Sequence, residues 1–124
     1  MKANVKQMGE FFGKVYSFNN SLKLYHWHVS GPGSYAQHMA LDTAIEELSP
    51  ALDSIVETSY ALYGDIKIVI PETSAPSNIV KHAGDFYDYL QKSRELFGED
   101  FTAAIIDDLQ QGIQQLLYRL KRLQ

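Results

Sequence analysis

The stretch LKLYHWHVSGPGSYAQHMALDTAIEELSPALDSIVETSYALYG, Leu22 to Gly64, decides the fold. Inside it, Ser30-Gly31-Pro32-Gly33-Ser34 stops any helix, because two glycines and a proline cannot continue a regular one. Upstream, Val5, Met8, Phe12, Val15, Phe18, Leu22, Tyr25 and Val29 step by three or four residues. That stripe predicts a first helix from about Asn4 to Val29. Downstream, Leu41, Ile45, Leu48, Leu52, Ile55 and Leu62 predict a second, from about Ser34 to Tyr63, with Gly64 as its terminator. Pro50 lies inside this second stripe, which keeps its phase across the proline. One kinked helix is therefore expected there, not two.

Beyond Gly64 the pattern changes. From Asp65 to Pro76, Ile66, Ile68 and Ile70 alternate with Lys67 and Val69 before Pro71 and Pro76. This reads as an apolar crossover pinned on a surface, in preference to an isolated strand. A third helix is expected from near Ser77, carrying Ile79, Ala83, Phe86, Leu90 and Phe97 inward, with Gly98-Glu99-Asp100 as the break. A fourth follows from about Phe101, with Ile105, Leu109, Ile113, Leu116, Leu120 and Leu123 inward. Two helices, a longer link and two more helices describe one all-α domain over residues 1–124. The expected fold is a ferritin-like four-helix bundle with one long crossover between helices 2 and 3. Twelve extended residues span about 40 Å, just enough to travel the length of a helix of roughly 25 residues.

Composition sets the bounds. The chain has 124 residues, no cysteine and a net charge of −4. The absence of cysteine excludes disulfides and thiolate metal sites and fits a reducing, cytoplasmic setting. The start, MKANVKQMGEFFGKVYSF, has polar residues every few positions, so neither a signal peptide nor a membrane span is expected. Arg119, Lys121 and Arg122 form a small basic cluster that reads as a helix C-terminus complementing its own dipole.

The chemically equipped residues are His26, His38, Asp42, Asp53 and Glu57, at successive spacings of twelve, four, eleven and four. Two imidazoles and three carboxylates form a mixed N/O set suited to iron, in a mono-iron or di-iron site, with manganese or zinc as substitutes. On the second helix, Asp42, Asp53 and Glu57 lie about 40°, 60° and 100° round from His38, on an arc beside the apolar stripe. Along the axis the His38/Asp42 and Asp53/Glu57 pairs are about 22 Å apart, so one chain cannot close them round one metal. Two chains can, if their second helices pack antiparallel about a two-fold axis near Glu47 and Leu48. His26, on the buried stripe of the first helix, would complete the half formed by His38 and Asp42. Trp27 lies off that stripe, where a covering subunit would explain an exposed tryptophan.

The same run resembles the DNA-binding proteins from starved cells (Dps), the miniferritins. His26 with Trp27, then His38, Asp42, Asp53 and Glu57 stand in the order and spacing of that family's ferroxidase ligands. The segment TAAIIDDLQQGIQQLLYRL, Thr102 to Leu120, is similar in pattern to its last helix. The resemblance implies oxidation of Fe(II), preferentially by hydrogen peroxide, at sites shared between two subunits of a hollow twelve-subunit shell that stores ferric mineral. It implies that Trp27 is an oxidisable neighbour of the site, and that Asp100, Asp107 and Asp108 line an acidic pore.

Departures from the family pattern shape further expectations. Only 25 residues precede His26, with no long Lys-rich tail of the kind some members use on DNA, so DNA binding is not expected. The third helix is several turns short of the family norm. Asp100, Asp107 and Asp108 also read as a helix cap and a solvated face. His28, two residues from His26, falls on another face and reads as a surface residue, and His82 as structural. No Glu-x-x-His pair, P-loop or dinucleotide turn is present. Two functions are compatible with the chain: a miniferritin that oxidises and stores or detoxifies iron, or a non-catalytic assembly protein that keeps the dimer with or without bound metal.

Overall fold

The computed structural model describes residues 4–123; residues 1–3, the start of the stretch read as carrying no signal, and residue 124 lie outside them. Four α-helices follow one another: α1 Val5–His28, α2 Ser34–Tyr63, α3 Ile79–Ser93 and α4 Asp100–Arg122. A single 3₁₀ turn, Arg94–Leu96, lies between the last two, and no strand occurs among the described residues. None of these helices is long and apolar enough to cross a membrane.

Local chemistry accounts for the boundaries. The Asn4 side chain accepts from the Gln7 amide at 3.0 Å and the Asn78 side chain from the Lys81 amide at 3.1 Å, so α1 and α3 start on side-chain caps. Gly31, Gly33 and Gly64 have φ of 84°, 79° and 81°, a left-handed conformation that a β-carbon disfavours, and they frame α2. α2 runs unbroken through Pro50, which is exposed; the expectation of one helix holds.

The helices close a ring of contacts in which α1 meets α2, α2 meets α4, α4 meets α3 and α3 meets α1. Met8, Phe12, Val15, Phe18 and Leu22 of α1 point into the shared core with Leu41, Leu48, Leu52 and Ile55 of α2 and Leu109, Ile113, Leu116 and Leu120 of α4. Phe11 packs on Phe97 and Tyr89, with ring centroids 5.4 and 5.9 Å apart, while Phe18 stacks on Phe86 at 3.9 Å. Each such side chain contributes about 1.5–3 kcal/mol by leaving water. Some expected stripe residues sit otherwise. Leu62 and Leu123 are exposed at helix ends, Val5, Tyr25, Val29 and Ile45 are half-buried at the edge of the core, and so is Ile105, because α4 turns Ile106 fully inward.

The connection from Asp65 to Asn78 lies along α1. Val69 N donates to Gly9 O at 3.4 Å, the Ser17 and Thr73 hydroxyls meet at 2.6 Å, and His82 Nε2 reaches Ser21 Oγ at 2.8 Å. Its order thus runs with α1, and α3 then returns antiparallel to it, from Phe86 on Phe18 to Phe97 on Phe11. Glycine makes this approach feasible: a β-carbon at Gly9 would lie 2.0 Å from Lys67 O, and one at Gly13 1.7 Å from Val69 O.

Candidate metal centre

Three of the five expected ligands come together. The short turn 30–33 folds α2 back on α1, which sets the last turn of α1 beside the first two turns of α2. One donor atom from each of His26, His38 and Asp42 then falls within 4.8 Å of the others. His26 is 6 % exposed, while His38 and Asp42 are half-buried. The two imidazoles stack with centroids 3.7 Å apart.

The arrangement of protons is readable. His38 Nδ1 lies 3.3 Å from the backbone carbonyl of His26, which can only accept, so Nδ1 donates and Nε2 is the nitrogen turned toward Asp42. This contact also satisfies a carbonyl in the last turn of α1, which has no partner within the helix. His38 Nε2 sits 3.8 Å from Asp42 Oδ2. On the other side, His26 Nε2 is 2.8 Å from Asp42 Oδ1, but its ring N–H direction misses the oxygen. Both His26 nitrogens are consequently buried without an aligned hydrogen bond. An unpaired buried imidazole nitrogen is costly, and a divalent cation that took one lone pair from each ring beside the Asp42 carboxylate would offset that cost.

Lys23, absent from the sequence reading, also faces this group. Its Nζ lies 3.7 Å from Asp42 Oδ1 and 5.7 Å from the Trp27 ring centroid. Burial pushes the Asp42 carboxyl up, but the His26 contact and the charges of His26, Lys23 and His38 outweigh it and hold the carboxyl below its ordinary range. Asp42 is therefore a ready anionic ligand at neutral pH. The signal that points to Lys23 is its position three residues before His26 and four before Trp27, one turn away on the same helix.

Asp53 and Glu57 stand apart from this group, as the axial rise of α2 requires. They are exposed on α2 and line an open apolar groove of about 430 Å³ with Phe12, Tyr16, Leu52, Val56, Ile68 and Ile70. Neither side chain makes a hydrogen bond or ion pair among the described residues. Trp27 is 67 % exposed and His28 is exposed, each as the helical phase implies.

The remaining candidates have other surroundings. Asp107 accepts a two-pronged contact from Arg94, at 2.9 Å to each carboxylate oxygen, which joins the 3₁₀ turn to α4. Asp100 lies in the first turn of α4, where its charge complements the helix dipole, and Asp108 is exposed beside Glu47 and Arg119. His82 stacks on Phe18 and meets Ser21. Ser21 gives its own proton to Phe18 O at 2.6 Å, so it accepts from His82 and is not a nucleophile activated by a base.

Comparison with curated proteins finds no match, and comparison with solved structures finds none. One family model does match, over residues 26–120 of the 124, a span that begins at His26 and contains His38, Asp42, Asp53 and Glu57. The chain belongs to that family, described as a family of unknown function (DUF5856).

Proposed function

We propose that the chain is a Dps-like miniferritin with a ferritin-like bundle, which binds Fe(II) as its substrate and oxidises it at sites shared between two subunits. The observation that carries this reading is the convergence of His26, His38 and Asp42 on one point, with a buried imidazole whose nitrogens have no aligned partner. The crossover laid along α1 supports the ferritin-like connectivity. Asp53 and Glu57 are exposed, unpaired and correctly spaced to complete the set from a second copy.

The roles of the residues follow from their chemistry. His26 and His38 offer neutral nitrogen donors, which bind Fe(II) without cancelling its charge. Asp42, together with the partner copy's acidic pair, favours the higher charge of Fe(III) over Fe(II), so ligation itself drives the electron out. Each Fe(II) gives up one electron, and hydrogen peroxide takes two electrons and two protons to become two waters. Trp27 and Tyr35, exposed near the pair of histidines, are oxidisable side chains that can absorb stray radical equivalents.

Anaerobic protein loaded with Fe(II) and mixed with hydrogen peroxide is expected to develop ferric absorbance faster than Fe(II) in buffer. A His38→Ala or an Asp53→Ala variant should lose that acceleration. Equal rates for wild type, variants and buffer would overturn the ferroxidase reading and leave a metal-binding assembly protein.

A further inference from the structure

The surface that carries the shared site has an internal symmetry with a consequence for Trp27; the inference rests on the shared-site reading above. Along α2, Tyr35 and Tyr60, His38 and Glu57, and Asp42 and Asp53 stand at equal distances on either side of the midpoint between Glu47 and Leu48. All six lie within an arc of about 100° on the helix surface. All are exposed or half-buried. A two-fold axis through that midpoint lays this face on its own copy and sets His38 and Asp42 of one chain level with Glu57 and Asp53 of the other. The same rotation keeps α1, which flanks one side of the face, on that side in both copies. The end of one α1 thus arrives over the other copy at the level of Glu57 and Asp53.

What arrives there is Trp27, which adjoins the His26/His38 stack and is the chain's only tryptophan. What receives it is the open groove of about 430 Å³ between α1, α2 and the crossover. Its apolar wall includes Tyr16, 47 % exposed, and Ile70, 52 % exposed. Its acidic wall is Asp53 and Glu57. Lys23, 5.7 Å from the Trp27 ring centroid, travels with the indole and supplies the opposite charge. We propose that this groove is the seat of Trp27 from a second copy of the chain. The indole matches the site in apolar bulk, and the Lys23 charge matches its rim.

The test reads Trp27 fluorescence in the metal-free full chain at a concentration where light scattering shows an oligomer. Wild type is expected to give a blue-shifted emission with weak acrylamide quenching. Ile70→Asp and Tyr16→Asp, both at exposed positions, are each expected to raise quenching several-fold and red-shift the emission, with helical circular dichroism unchanged. Wild-type emission as accessible as free indole, or a shielded Trp27 that neither variant uncovers, overturns the proposal. Iron is not part of the readout. A shielded Trp27 without Fe(II) oxidation therefore sinks only the chemistry, and rapid oxidation with an accessible Trp27 sinks only the seat.

Discussion

At the scale of single residues, the proton on His38 is the most informative detail. Because its Nδ1 donates to the His26 carbonyl, the ring is held with Nε2 toward Asp42 before any metal arrives. His38→Ala is expected to lower Fe(II) affinity by at least about 10- to 100-fold, the cost of losing even a group that only orients a ligand; isothermal titration under anaerobic conditions measures it. Histidine also sets a pH signature elsewhere. Burial holds the His82 imidazole below its ordinary value, with the nearby Asp85 charge opposing in part. The folded state therefore favours neutral His82, whereas the unfolded chain takes up a proton near about pH 6.5. The stability so contributed is complete above that pH and is lost as pH falls from there through the lower folded value. Urea midpoints at about pH 7.5 and pH 5.5 should differ less in His82→Gln than in wild type; an equal drop in both contradicts the assignment.

At the scale of elements, the crossover and the proline make opposite predictions. A methyl at Gly13 would meet Val69 O at 1.7 Å, so Gly13→Ala must displace the connection. A loss of about 1–3 kcal/mol or more is expected in urea unfolding, despite alanine's better helix propensity. Pro50 lies in the interior of α2 on its exposed side and leaves the Glu46 carbonyl without its helical donor. Pro50→Ala restores that donor and is expected to raise stability, by at most about 3 kcal/mol. The boundaries of α1 and α2 were legible because Gly31, Pro32, Gly33 and Gly64 punctuate them in the sequence. The choice between Ile105 and Ile106 was not, since either continues a helical stripe and only packing against α2 decides it. The path of the crossover was equally hidden. Its signal is the run Gly9, Gly13, Ser17, Ser21, small residues four apart that open a channel along α1, and it has meaning only once another segment is seen to lie in it.

At the scale of the whole molecule, three of the five candidate ligands, His26, His38 and Asp42, meet within one chain. The His26, His38 and Asp42 group was legible because a five-residue connection between two helices leaves little freedom in how their ends meet. The contact of Lys23 with Asp42 was not, since it depends on rotamers that spacing does not fix. Asp53 and Glu57 have no intrachain partner among the described residues, and in the proposed subunit contact their charges would be costly without a cation. Removal of metal by a chelator is accordingly expected to weaken self-association, seen as a fall in light-scattering mass at fixed protein concentration. Unchanged mass would mean that the cation contributes nothing to the contact.

The central claim is that each oxidation site draws on two chains, and subunit mixing tests it most directly. His38→Ala and Asp53→Ala each disable every site in a dimer of their own kind. A mixed dimer, however, regains one intact site, from His38 of one chain and Asp53 of the other. After co-refolding in equal amounts, half of the dimers are mixed. The peroxide-driven oxidation rate is then expected to return to about one quarter of wild type. A mixture as inactive as either variant alone would contradict the shared site.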